Sequence, residues 1–357
     1  MRKEPIHPLL ELTLARLLEF VREPETIFWV FVFPVLVAVA LGIAFRVKPP
    51  DPYRVALVGS APSIERSAEL LHTAAGIEAV RSSEREASAG LRTGKLDLAI
   101  AADEGPSATD AERLHLTFRF DPSRPESRAA RLAVDDALQR AAGRPDRLEI
   151  RDETTMARGG RYIDFLIPGL VGLNIMGSAM WGIGYSVVLA RRNKLLKRLA
   201  ATPMRRAHYL LSFMLSRALF LVPEVAALVA FGWLVFGVAI HGSVLGVGLV
   251  SLLGALAFMG LALLVAARTD STEVASGWMN AIQMPMWLLG GAFFSYQRFP
   301  AVVHPFIRLL PLAAFNDALR ALMNDGAPLW TIWPELLVMA VWGGVSFALA
   351  LRVFRWR

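Results

Sequence analysis

The chain has 357 residues, 55% of them hydrophobic and 19% charged, with no cysteine and a net charge of +7. Its mean hydropathy is +0.45; a soluble domain carries roughly 25% charge and 45–50% apolar residues, so the balance points to a membrane protein and away from a disulfide framework, thiolate metal sites or a cysteine nucleophile. Between residues 47 and 161 there are 18 Lys/Arg and 19 Asp/Glu, so the excess cations lie elsewhere, at the ends of apolar segments; that is membrane topology rather than a nucleic-acid face.

Residues 1–25 alternate leucines (Leu9, Leu10, Leu12, Leu14, Leu17, Leu18) with Arg2, Lys3, Arg16 and Arg22, which predicts an amphipathic helix on the inner membrane surface. The competing reading is a basic tail. Ile27 to Phe45 is free of charge and long enough for one crossing, with Pro34 inside it. The run is long enough to span and has no small-residue cleavage site after it, so residues 26–46 are expected to form the first transmembrane helix rather than a cleavable leader.

Residues 47–161 change character. Strand-like runs (YRVALVG, IEAVR, LDLAIAA, LHLTFRFD, LEIRDE) alternate with helical ones near 63–75, 84–94 and 124–142, predicting a small α/β domain. After a single span from a cytoplasmic start it would lie outside. GLRTGK (Gly90 to Lys95) has the wrong spacing for a phosphate loop. The six histidines are scattered without metal-ligand spacing, so no metal site is expected.

Residues 162–357 read as five further spans: Phe165 to Ala190, His208 to Ala239, Gly242 to Ala267, Val274 to Gln297 and Leu336 to Leu351. Between the second and third spans of the chain, residues 190–206 hold seven cations (Arg191, Arg192, Lys194, Lys197, Arg198, Arg205 and Arg206) and no acid. A short basic connection stays on the cytoplasmic side, which orients the rest and puts both termini inside. Leu195, Leu196 and Leu199 recur at helical spacing, giving this helix an apolar face, and Thr202-Pro203 ends it. Residues 298–333, broken by four prolines, read as short helices dipping into the outer leaflet.

Arg217 and Glu224 lie inside a span, where ionisable residues are costly and functional by default. Seven residues separate them by about 10.5 Å along a helix, so a direct pair is not expected; Arg217 is expected to reach the inner headgroups and Glu224 to face a path or a structural partner. Asn174, Met176, Met180, Trp181, Asn280 and Met284 could line a path for an amphipathic substrate, since Met adapts to varied shapes. Ordinary helix packing is the competing explanation for each.

A surface helix, one span, an external α/β domain and five spans with a basic connection resemble the permease subunit of type-2 ABC transporters. The most specific stretches are IPGLVGLNIMG (Ile167 to Gly177) and RNKLLKRLAATPMRRAHYLLSFMLSR (Arg192 to Arg217). The chain keeps Leu196, Leu199, Thr202 and Pro203 of the family's Leu-x-x-Leu-x-x-Thr-Pro pattern, while ARRNKLL stands where the family usually has Glu and Gly-Thr. The resemblance implies a six-helix polytopic membrane protein with an extracytoplasmic α/β domain, exporting a hydrophobic or amphipathic substrate (drug, lipid or glycan) across a bacterial cytoplasmic membrane. It also implies that ATP and Mg are held by a separate ATPase subunit, with no catalysis and no cofactor on this chain. Arg191, Arg192, Lys194, Leu195, Lys197, Arg198, Leu199, Thr202 and Pro203 would contact that subunit. Expected partners are the ATPase, a second copy or homologue, membrane lipid and a periplasmic protein. The alternative from another class is a membrane sensor or scaffold acting through its external domain.

Overall fold

The structure is a computed structural model, and it describes residues 8–45, 51–102, 116–144, 159–195, 198 and 206–353. The chain divides into two compact units, Met1–Arg46 with Thr155–Arg357, and Val47–Thr154.

In the larger unit, α1 (Pro8–Arg22) is followed by α2 (Pro24–Ala44), α6 (Tyr162–Arg192), α7 (Arg206–Phe236), α8 (Val244–Ala266), α9 (Thr272–Leu289), α10 (His304–Arg308), α11 (Pro311–Met323) and α12 (Trp333–Val353). Labels α3 to α5 belong to the other unit. Among the described residues, five helical stretches are long and apolar enough to cross a membrane: α2, α6, the Ser212–Phe236 part of α7, α8, and α12 extended from Leu329. The sixth expected span is α9, whose 18 residues include Glu273, Asn280 and Gln283 and are less apolar than those five. The segment after α9 folds as short helical pieces, of which α11 is almost wholly buried.

α6 and α8 are the central helices, each with about two thirds of its apolar window buried, against under a third for α2, α7 and α12. Small residues allow the close approach that membrane helices need without a hydrophobic drive between them. A side chain on Gly260 would strike the Gly343 carbonyl of α12, and one on Gly254 the Phe315 ring of α11. The outward faces of α2, α7 and α12 are apolar, with Trp29, Leu36, Trp233, Leu234, Leu337 and Val345 exposed. Such faces suit lipid, not water.

A proline inside a span frees a carbonyl, since it offers no N–H to the residue four before it, and at two of these prolines the carbonyl finds a side-chain donor. In α2, Pro34 follows a π-helical turn at Phe28–Val32, and the Val30 carbonyl accepts instead from the Asn174 side chain of α6 at 2.8 Å. In α6, Pro168 releases the Asp164 carbonyl, which accepts from the Asn324 side chain at 3.0 Å. Each of these two carbonyls is thus met by an asparagine from another segment, as a medium without water requires.

The smaller unit is a four-stranded sheet in the order β2-β1-β3-β4. It is built from β1 (Tyr53–Val58), β2 (Ile77–Ser82), β3 (Leu98–Ala102) and β4 (Leu116–Arg119), with α3 (Pro62–His72), α4 (Glu84–Thr93) and α5 (Pro125–Ala141) between and after them. β1 pairs parallel with β2 and β3, and β4 closes the other edge antiparallel. α3 and α5 bury Ile64, Leu71, Ala130, Val134 and Leu138 against Val55, Leu57, Leu98 and Ile100. Ala87 of α4 covers Ala56 and Ala99 on the opposite face. The LEIRDE run lies outside the described residues.

α4 opens on a capping box, in which the Ser83 hydroxyl accepts from the Glu86 amide while Glu86 accepts from the Ser83 amide at 2.9 Å. Those bonds from Ser83 hold the Glu86 carboxyl below its usual value. Because the folded value is the lower one, the box contributes above the unfolded pKa and is lost as pH falls through the folded value. Ser83→Ala is expected to cost about 1 kcal/mol, and thermal melts of the variant should show a weaker acid dependence than wild type.

Candidate functional site

The basic connection begins at the end of α6. The helix closes at Asn193, and Lys194 takes a positive φ of 57°, a left-handed turn that a non-glycine residue adopts at some cost. Arg191 and Arg192 then part ways. Arg191 is 7% exposed and reaches across to the C-terminal end of α8. It donates to the carbonyls of Ala266 at 2.7 Å, Ala267 at 3.1 Å and Thr269 at 2.6 Å. Those groups have no partner inside their own helix and carry the negative end of its dipole, so a guanidinium satisfies them doubly. Asp270 lies 3.9 Å from the Arg191 Nε. Arg192 is exposed, donates to the Thr272 hydroxyl at 2.9 Å and lies 3.8 Å from Glu273 at the start of α9.

Lys194, Leu195 and Arg198 are exposed, while Lys197, Leu199, Thr202 and Pro203 lie outside the described residues. Of the nine residues expected to meet a partner subunit, Arg191 is therefore turned into the protein. Sequence spacing held no sign of this, because its partners are backbone carbonyls 75 to 78 residues away.

The other end of α6 is tied in the same manner. Arg161 pairs with Asp164 at 2.6 Å and donates to the Phe236 carbonyl, at the end of α7, at 3.0 Å. An arginine at each end of α6 thus holds the C-terminal carbonyls of a neighbouring span.

Midway along the helices sits a buried ion pair. Arg217 of α7, 6% exposed, contacts Glu224, 1% exposed, through a direct hydrogen bond. Ser178 of α6 accepts from Arg217 and lies 2.9 Å from the second Glu224 oxygen. This corrects the expectation that the two cannot meet and that Arg217 turns to the headgroups. The axial rise between their Cα atoms remains, but the reach of the two side chains closes it. A buried charge without a partner would cost far more than the strain of that reach.

The remaining path residues divide. Met176 and Met180 are in the hydrophobic core, and Asn174 is committed to the Val30 carbonyl. Trp181 of α6 and Asn280 and Met284 of α9 are exposed. Gln283, about 60° to 100° around α9 from Asn280 and Met284, is 1% exposed, and neither amide atom has a hydrogen-bond partner among the described residues. Among the described residues no group of three or more His, Cys, Asp or Glu is placed to hold a metal ion.

A bundle of membrane-length helices with an α/β unit between the first and second, and a basic loop stitched to its neighbour, is the architecture of a multi-pass transport permease. The match of residues 24–352 to the model of the ABC-2 family transporter proteins shows that the chain belongs to that family. Members are membrane permeases that typically lack an ATPase domain and generally pair with ATPase subunits. The chain is 25% identical over 158 residues to YvfS of Bacillus subtilis, named as a transport permease, a match covering 44% of this chain and 64% of that one. It is 31% identical over 102 residues to nodulation protein J of Rhizobium meliloti, covering 29% and 38%. It is 26% identical over 188 residues to ABC transporter G family member 20 of Dictyostelium discoideum, covering 51% and 25%. These matches span a quarter to just under two thirds of the relatives' own lengths.

Proposed function

We propose that this chain is the permease subunit of an ATP-driven exporter that moves a hydrophobic or amphipathic substrate out across a bacterial cytoplasmic membrane. Residues 190–206 dock on a separate ATPase that binds ATP and Mg, and a second permease copy or homologue completes the path. Both termini are cytoplasmic and the α/β unit is extracytoplasmic, where it is open to a periplasmic partner. The observation that carries this is the acid-free, seven-cation connection in a member of the ABC-2 family. Its exposed cations suit an acidic groove, while its leucines supply an apolar anchor. Trp181, Asn280 and Met284, exposed on α6 and α9, are the candidates for substrate contact; Asn174, Met176, Met180 and Glu224 support them from within.

The test is co-purification from detergent-solubilised membranes, comparing wild type with a chain in which Arg192, Lys194, Lys197 and Arg198 are changed to Glu. Arg191 is left intact because it is internal. An ATP-binding subunit should come down with wild type and be lost from the variant. Stable wild-type protein that brings down no such subunit overturns the reading.

A further inference from the structure

We infer that Arg191 is a transmission residue, joining the basic connection to the α8–α9 turn so that the two move as one body. This rests on the reading above, in which an ATPase pushes on residues 190–206.

Four observations carry it. Arg191 is the last buried residue before the chain turns at Lys194, so any displacement of the connection passes through it. Its guanidinium is spent on three carbonyls of one neighbouring segment, Ala266 to Thr269. Each bond is charge-assisted and roughly twice as strong as a neutral one, and the fork geometry resists both sliding and rotation. Arg192 adds a second stitch to Thr272, the first residue of α9. Finally, α9 carries Asn280 and Met284 on its exposed side and the unpartnered amide of Gln283 on its buried side. A buried amide with no partner among the described residues is costly where it stands, so a shift of α9 that brings Gln283 to a partner is favoured. A push on the connection therefore reaches α9 through its first turn, without passing along the length of α6.

The native chain has no cysteine, so spin labels can be placed at Asn193→Cys and Arg268→Cys alone, both exposed positions flanking the latch. Wild type should give one narrow distance distribution; Arg191→Ala should broaden it. Arg191→Lys keeps the charge and the fold but replaces the fork by a point donor, and should broaden it partly. In the complex with the co-purified ATPase, both variants should recover that subunit as wild type does, yet permease-dependent ATP hydrolysis should fall about tenfold in Arg191→Ala. A distance distribution unchanged in Arg191→Ala, or unchanged hydrolysis, overturns the inference. Absence of any ATPase with wild type defeats the docking reading instead, and the label distances then still decide the latch by themselves.

Discussion

Glu224→Leu is expected to destabilise the membrane unit by about 3–5 kcal/mol, the cost of leaving one charge of a buried pair without its partner. Arg217 would then stand 6% exposed with Ser178 as its one remaining side-chain partner among the described residues. The converse variant, Arg217→Met, should be as damaging for the same reason. Changing both together should recover most of the loss, because two apolar side chains of similar volume satisfy each other without desolvation. Thermal unfolding of the four proteins in one detergent gives the cycle. A double variant as unstable as either single one would mean that the pair contributes net stability. A double variant that folds but no longer transports would mark the pair as part of the path.

Asn174→Val is expected to cost about 1–3 kcal/mol, because the Val30 carbonyl loses its donor in a medium that supplies no other. That penalty belongs to Pro34 rather than to Asn174. In a Pro34→Ala background residue 34 regains an N–H that can reach Val30, and Asn174→Val should then be tolerated. The interaction energy of the double-mutant cycle isolates the repair. Equal costs of Asn174→Val in both backgrounds would show that the asparagine acts elsewhere.

Much of the fold was legible because its signals are local. The uncharged run from Ile27 to Phe45 coincides with α2, ending one residue apart. In the α/β unit, YRVALVG, IEAVR, LDLAIAA and LHLTFRFD all fall on strands, and the helical runs near 63–75, 84–94 and 124–142 on α3, α4 and α5. Period and turn residues carry that information within a dozen positions. What escaped depends on distant partners. Ser178 is 46 residues from Glu224, and Asn174 is 144 from Val30. A polar residue on an apolar helix announces that it needs a partner, without naming one. In sequence Asn174 fits either a path or ordinary helix packing, although Pro34 in the first span implies an orphaned carbonyl four residues before it. Arg191 looks like the six other cations of its run, since composition cannot tell which member of a basic run faces inward.

The π-helical stretch Met180–Tyr185 lies between the two anchored ends of α6. A π turn holds one residue more than an α turn over the same span, so this helix stores a unit of slack between two ends that are each hydrogen-bonded to a neighbouring span. Moving that surplus up or down by a turn would swivel the residues it passes by about 100° relative to the anchors. Trp181 and Tyr185, whose rings lie 6.0 Å apart, sit on that swivel. A rotation there would change the surface α6 offers at Trp181 and Tyr185 without undoing the hydrogen bonds at either end.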